Sequence, residues 1–81
     1  MTKDERARPL EAAMAKQIKI ELAEREMTQA QLAQKIGIGR VVMSRYLNGH
    51  STFDYPHLID IAETFGVDLS ELIHRAEARL R

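Results

Sequence analysis

One stretch of the chain, from Thr28 to Gly49, limits the fold more than any other: it reads TQAQLAQKIGIGRVVMSRYLNG. Thr28 is suited to cap a helix through its hydroxyl, and Gly37 is suited to end that helix in a left-handed turn. The apolar residues between them lie on one helical face: Leu32, Ala33 and Ile36. A second short helix is expected from about Arg40 to Asn48. The pattern predicts two short amphipathic helices joined by a tight glycine turn.

The rest of the chain is also predicted to be helical. Helical periodicity recurs in five segments, and strand-like alternation of useful length is missing from the sequence. Pro9 suits the first position of a long first helix, which we expect to end near Arg25 or Glu26. The apolar stripe of this helix has a spacing of four residues: Leu10, Met14, Ile18 and Leu22.

A fourth and a fifth helix follow the loop His50–Phe53. Asp54 is expected to cap the fourth helix, with Pro56 in its first turn and Gly66 at its end. The sequence from Asp68 resembles a capping box and opens a fifth helix that runs toward Arg81. The predicted inner faces of the two helices are apolar: Leu58, Ile61, Ala62 and Phe65, then Leu69, Leu72 and Ile73. The short loops and the lack of a linker predict a single all-α domain over residues 1–81.

Charge is distributed unevenly along the sequence. The segment Met27–Phe53 has no acidic residue and contains Lys35, Arg40 and Arg45, while the remainder holds all 12 acidic residues and 9 of the 12 basic ones. The formal net charge of zero therefore hides a basic segment, and such a segment suits a polyanionic partner.

The composition excludes several classes of protein. With 81 residues the chain is near the lower limit for one hydrophobic core, so self-association is a reasonable expectation. Cysteine is absent, which excludes disulfides and thiolate metal sites. The sequence has no apolar run of about 18 residues and no secretory signal at its N-terminus. We therefore expect a cytoplasmic protein without a membrane partner.

Residues from about Met14 to Ile73 resemble the DNA-binding domain of lambdoid phage repressors and Cro proteins, the XRE type of helix-turn-helix. Matching positions occur throughout this range: Thr28, Gln29, Leu32, Ala33, Gly37, Met43, Tyr46, Asn48, Gly49, Ala62, Phe65, Gly66, Val67, Leu69 and Leu72. The resemblance implies a five-helix domain with long first and last helices. It also implies that the helix-turn-helix unit 28–49 places its second helix in the major groove of DNA.

The resemblance implies that four residues of the second helix read bases: Arg40, Val41, Ser44 and Arg45. Their spacing also places them on one face, opposite the expected buried residues Met43 and Tyr46. Arginine can pair with guanine O6 and N7, and valine can contact the methyl group of thymine, so Arg40 or Arg45 is expected to read guanine. Val42 is expected to assist Val41. The alternative is that the two arginines are ordinary solvated surface.

Other residues are expected to contact the DNA backbone. Gln29 stands where the family places a phosphate contact at a helix N-terminus; the alternative is a plain polar residue. Thr28 precedes it, and Asn48, His50 and Thr52, with Ser51 between them, belong to a polar loop that in the family follows the DNA backbone. Lys35 adds favourable charge or simply faces water.

The sequence departs from the family pattern in two places. Gly39 precedes the second helix where Ser or Thr is common, which leaves a weaker cap. The family often pairs an arginine of helix one with a glutamate of helix three, and the matching positions here are Leu22 and Leu47. We expect these two leucines to touch, so that apolar packing replaces the ion pair.

The sequence shows no pattern typical of catalysis or of metal binding. His50, His57 and His74 lack ligand spacing and are expected at the surface, and the serines lack an activating partner. Glu21 and Arg25, four residues apart, are interpreted as an ordinary helix-stabilising pair. We therefore expect no enzyme activity, no cofactor and no metal.

These observations favour a sequence-specific transcriptional regulator, a repressor of phage or bacterial type, that binds double-stranded DNA at a pseudo-palindromic operator. Apolar residues beyond the needs of the core suggest a homodimer formed through helix one or helix five: Leu10, Ile20, Ala76 and Leu80. The neutral net charge and the long first helix favour an alternative, a protein-interaction module or antitoxin of the same fold that binds a partner protein. The chain is either a short regulator or one domain of a longer one.

Overall fold

The computed structural model describes residues 3–80, with side chains from residue 9 onward. The described residues form five helices and no strand: α1 (Lys3–Glu24), α2 (Gln29–Ile36), α3 (Arg40–Leu47), α4 (Tyr55–Thr64) and α5 (Leu69–Ala78). This arrangement confirms the all-α, five-helix prediction. The helix pair α2 and α3 occupies the segment in which the sequence predicted it.

The start of α1 differs from the prediction. Pro9 lies inside the helix and not at its first position, because α1 already begins at Lys3. Pro9 has no N–H, so the helix lacks one backbone hydrogen bond, the one to the carbonyl of Glu5. The residues before Pro9 are mostly good helix formers, and their helix propensity favours extension of α1 beyond the proline. The helix ends at Glu24, slightly before the predicted end near Arg25 or Glu26.

The first four helices end in the same hydrogen-bond pattern, the Schellman motif. One N–H bonds to a carbonyl three residues back, and the next N–H bonds to a carbonyl five residues back. Gly37 fills the left-handed position after α2 with a φ of 75°. After α1 that position is filled by Glu26, with a φ of 52°. Because a side chain is strained in this conformation, Glu26 ends α1 at a cost in free energy.

A single apolar core connects the five helices. Its buried residues are Ala13, Met14, Ala15, Ile18, Leu22, Leu32, Ala33, Met43, Tyr46, Leu47, Phe53, Ile61, Ala62, Phe65, Leu72 and Ala76. The predicted inner faces of α2, α3 and α4 are thus confirmed, with Leu58 half-buried against the core. Two residues assigned to a dimer contact were misplaced: Ala76 is fully buried and Leu10 packs against the core.

Leu22 of α1 and Leu47 of α3 are both buried in this core, and the two helices pack against each other. Their burial agrees with replacement of an ion pair by apolar packing. The direct contact between the two leucines stays a prediction.

Glu21 forms the predicted pair with Arg25 at the end of α1, and it also belongs to a buried polar network between α1 and α5. Only 1% of Glu21 is exposed. Its carboxylate accepts hydrogen bonds from Gln17 Nε2 at 2.6 Å, Arg25 Nη1 at 2.7 Å and Arg75 Nη1 at 3.0 Å. Arg25 also donates to the carbonyl of Phe65 at 2.9 Å, and Arg79 donates to Gln17 at 2.7 Å. The network therefore ties the end of α4 and the last turns of α5 to α1.

Burial alone raises the pKa of the Glu21 carboxyl group. Hydrogen bonds from Arg25, Gln17 and Arg75 outweigh that effect and hold the pKa below its ordinary value. In the same network, hydrogen bonds to Glu21 and Glu71 raise the pKa of Arg75. The carboxylate is consequently ionised in the folded protein at neutral pH.

The expected caps of α4 and α5 are only partly present. Asp54 and Asp68 occupy the N-cap positions, but neither side chain makes a capping hydrogen bond. The carboxylate of Asp54 lies 3.9 Å from His57 Nδ1, and Glu71 accepts a hydrogen bond from Arg75 at 3.0 Å and does not return to the cap. The capping box predicted at Asp68 is therefore wrong, since Glu71 has a stronger partner one turn later.

Candidate nucleic-acid interface

The start of α2 is fixed by a complete capping box. The N–H of Gln31 donates to Thr28 Oγ1 at 3.0 Å, and the N–H of Thr28 donates to Gln31 Oε1 at 2.8 Å. Gln29 is exposed at the first helical position. The capping box uses the N–H groups of Thr28 and Gln31. The N–H groups of Gln29 and Ala30, which lie between them, are therefore the ones that an anion would use.

The structure brings Gln29 together with the outer face of α3. Gln29, Ala30, Arg40, Val41 and Ser44 line one open cleft of about 500 Å³. The turn from Gly37 to Gly39 makes this possible, because it lets the first turn of α3 face the first turn of α2. A residue predicted to contact phosphate thus borders three that were predicted to read bases.

The two faces of α3 differ sharply in burial. Met43, Tyr46 and Leu47 are buried, while Val41 is 73% exposed and Val42 is 40% exposed. Arg40 and Arg45 are also exposed, and Ser44 is half-buried. The outer face therefore presents two cations and two apolar side chains without any acidic neighbour on the same helix.

The N-terminus of α3 lacks a side-chain cap. Gly39 occupies the N-cap position with extended backbone and makes no capping hydrogen bond, as the sequence predicted. The first N–H groups of α3 are consequently left to solvent or to an incoming anion.

Arg45 is held by the loop that follows α3. Its Nε donates to Ser51 Oγ at 3.1 Å, and its Nη2 donates to the carbonyl of His50 at 3.4 Å. One turn of α3 away, Asn48 Nδ2 donates to Ser44 Oγ at 3.1 Å. The predicted base-reading and backbone-contacting residues are thus hydrogen-bonded to each other.

The loop itself is anchored in the core. Phe53 is buried and stacks on Tyr46 with ring centroids 4.9 Å apart, and its N–H donates to Glu11 Oε2 of α1 at 3.4 Å. The hydroxyl of Tyr46 lies 2.7 Å from His57 Nδ1. His57 is half-buried, so the expectation of three surface histidines holds only for His50 and His74.

The remaining predicted contacts are spread over two surfaces. His50 and Thr52 are exposed in the loop beside Gly49, on the side where Glu11 lies. Lys35 is exposed in another groove, next to Asp60 and Glu63 of α4. The structure therefore does not bring Lys35 into the cleft that contains Gln29 and Arg40.

Two supporting residues could not be assigned a role from the sequence. Glu11 supports the loop across 42 positions of the chain, and no motif spacing links it to Phe53. Ser51 was recognised as part of a polar loop, but its bond to Arg45 depends on the conformation of that loop. The one available signal was a serine four residues after the end of the arginine-bearing helix α3.

A family model described as helix-turn-helix matches residues 18–72 of the chain. The protein belongs to the XRE-type helix-turn-helix family. Membership in this family, together with the exposed outer face of α3, makes the protein a DNA-binding regulator of transcription.

A solved helix-turn-helix structure supports the fold. The clp gene regulator ClgR from Corynebacterium glutamicum matches with a TM-score of 0.81 and 16% sequence identity, over 86% of this chain and 74% of that chain. A search of curated proteins finds no match. Within the described part of the chain, no helix is both long and apolar enough to cross a membrane.

Proposed function

We propose that this helix-turn-helix protein is a sequence-specific repressor of phage or bacterial type that acts in the cytoplasm. Helix α3 enters the major groove, where Arg40, Val41, Ser44 and Arg45 read bases. Arg40 or Arg45 pairs with guanine, and Val41 contacts a thymine methyl group.

The exposure of Val41 carries this proposal. Val41 is 73% exposed on the face of α3 that also carries the two arginines, and exposure of its apolar side chain to water is unfavourable. The side chain would be buried against a thymine methyl group if α3 docked in the major groove. The arginines on the same face supply attraction to phosphate and hydrogen bonds to base edges. An interface made only of charges would bind DNA without this apolar readout.

Backbone contacts would set the position of α3 in the groove. Gln29, with Thr28 beside it, meets a phosphate at the start of α2, while Asn48, His50 and Thr52 follow the backbone beyond α3. Lys35, which lies on a separate surface, contributes through its charge alone. These contacts fix register and orientation and carry no sequence information.

A homodimer would match a pseudo-palindromic operator with half-sites about one helical turn apart. Leu80 is 52% exposed and borders a groove of about 330 Å³ between α1 and α5, together with Pro9 and Ala12. We place the dimer contact on this face. The contact would then involve helix one and the end of helix five, as the sequence suggested, but not Ala76, which is buried. Light scattering at increasing protein concentration measures this association directly.

Selection from a random library of DNA duplexes, at about physiological salt, tests the proposed function. An inverted repeat with guanine and thymine in each half is the expected result. A single half-site would indicate a monomer that reads DNA, and no enrichment would contradict sequence-specific binding.

Alanine variants of the two arginines locate the reading surface. Arg40→Ala and Arg45→Ala are each expected to weaken specific binding by about 1 to 3 kcal/mol and to leave folding intact, since both side chains are exposed. Lys19→Ala is the control, because it removes the same charge from an exposed position on α1. Equal effects of all three changes would mean that charge alone, and not base contact, is responsible.

A second candidate function is a protein-interaction module or an antitoxin of the same fold. The net charge of zero favours it, since DNA-binding domains are usually basic. If the protein acts only through a protein partner, the two arginine variants leave its activity unchanged and the duplex selection yields no motif.

A further inference from the structure

The loop after α3 determines which edge of the Arg45 guanidinium is free. A guanidinium has five N–H donors in a rigid plane, arranged along two edges that can each grip two acceptors. Ser51 Oγ lies 3.1 Å from Nε, and the carbonyl of His50 lies 3.4 Å from Nη2. The loop therefore occupies the side edge, and the end edge, formed by Nη1 and Nη2, keeps its donors.

The two acceptors in the loop are themselves fixed. The N–H of His50 donates to the carbonyl of Arg45 at 2.9 Å, which closes α3. Two residues after Ser51, Phe53 is buried against Tyr46. Ser51 thus lies between two attached points of the backbone, and its hydroxyl remains close to the guanidinium.

From this geometry we infer that Ser51 is a positioning residue for base reading: it holds the Arg45 guanidinium so that its end edge faces the DNA bases. The inference rests on the proposed role of Arg45 as a base reader. An arginine side chain that is free in solution loses rotational freedom when it grips a guanine. Here the loop has already imposed much of that order, so less is lost on binding.

The consequence is a gain in selectivity, not only in affinity. A guanine offers O6 and N7 to the end edge, and only a correctly oriented guanidinium reaches both atoms. An adenine in its place presents N7 beside an N6 amino donor and thus only one acceptor, so orientation brings it little benefit. Removing the Ser51 hydroxyl should therefore weaken binding to the preferred duplex more than binding to a duplex with the guanine replaced.

The test compares binding of the full chain to two duplexes: the one selected from the random library and a copy in which the G·C pair that depends on Arg45 is replaced by A·T. That position is the one at which Arg45→Ala loses discrimination. Ser51→Ala is expected to reduce the ratio of the two affinities by about two- to fivefold. Ser51→Thr keeps a hydroxyl and should restore the ratio, whereas Ser70→Ala, a change at an exposed serine of α5, should leave it at the wild-type value.

Thermal unfolding of the variants separates positioning from folding. We expect Ser51→Ala to melt within a few degrees of the wild type, because the bond that it removes lies at the surface. An unchanged affinity ratio for Ser51→Ala, with a reduced ratio for Arg45→Ala, would overturn the inference and leave the proposed function intact. If Arg45→Ala itself shows no position-specific loss, the assignment of Arg45 as a base reader fails, and the role of Ser51 fails with it.

Discussion

Removing the charge of Glu21 is expected to destabilise the fold strongly although the change is isosteric. Glu21→Gln keeps the size of the side chain but replaces one carboxylate oxygen by an NH₂ group. In the structure both oxygens accept hydrogen bonds, from Gln17, Arg25 and Arg75. The new NH₂ group would face at least one of these donors, and the bonds that remain would lose their charge assistance.

The size of the effect follows from the exposure of the partners. Breaking a fully buried ion pair costs about 3–5 kcal/mol, because the remaining charge is left without solvent. Here Glu21 is buried, but the side chains of Arg25 and Arg75 are 28% and 37% exposed and can regain water. We therefore expect Glu21→Gln to lower the free energy of unfolding by about 2–3 kcal/mol. For so small a domain this corresponds to a fall of about 10–20 °C in Tm.

Urea unfolding at pH 7, followed by circular dichroism, measures this change. Wild type and variants are compared at one protein concentration, because dimer formation would add to the apparent stability. Glu71→Gln is the matched control: it also loses a hydrogen bond to Arg75, but its side chain is 49% exposed and its pair lies at the surface. We expect this control to unfold with the wild type. Equal effects of the two changes would refute the importance of burial, and no effect of either would refute the stabilising role of the network.

Three further results are expected. The pKa of Glu21 in the folded protein lies below its ordinary value of about 4.5, so the stabilisation by its carboxylate is complete above pH 4.5 and is lost as the pH falls through the folded-state pKa. The free energy of unfolding in urea, measured between about pH 5 and about pH 2, should therefore depend less on pH in Glu21→Gln than in the wild type. Because φ is positive at both positions, Glu26→Gly should stabilise the protein by about 0.5–1 kcal/mol and Gly37→Ala should destabilise it by about 1 kcal/mol. A Cβ at Gly37 would have no atom within 4 Å, so the expected loss is backbone strain and not a clash; changes of the opposite sign in thermal unfolding would contradict this. Val41→Ala should leave Tm unchanged and weaken binding to the selected duplex by about fivefold. If the variant lost the same affinity for a duplex without the contacted thymine, a contact with the thymine methyl group would be excluded.

The local features of the fold could be predicted from the sequence. The Thr28 cap, the left-handed turn at Gly37 and the buried face of α3 each depend on residues within one or two turns of each other. The outer face of α3 follows from the same spacing, because a helix that buries Met43 and Tyr46 must expose Val41 and Arg45. Local hydrogen-bond geometry and the helical repeat are sufficient for predictions of this kind.

Features that depend on distant partners were predicted less well. Glu21 and Arg25 have the spacing of an ordinary helical pair, but Glu21 is buried where α1 packs against α5, whose Arg75 lies 54 residues away in the sequence. The start of α1 was misjudged because Pro9 is tolerated inside a helix when the residues around it favour helix. The hydrogen bond between Arg45 and Ser51 depends on a loop conformation that apolar periodicity does not describe.

Amide chemical shifts measured by NMR during titration with the selected duplex would test most directly whether α3 is the reading surface. If α3 lies in the major groove, the largest changes fall on residues 28–30, 40–45 and 48–52, and amides on the outer surfaces of α4 and α5 change little. Changes concentrated on α1 and α5, with α3 unaffected, would contradict the proposed mode of DNA recognition.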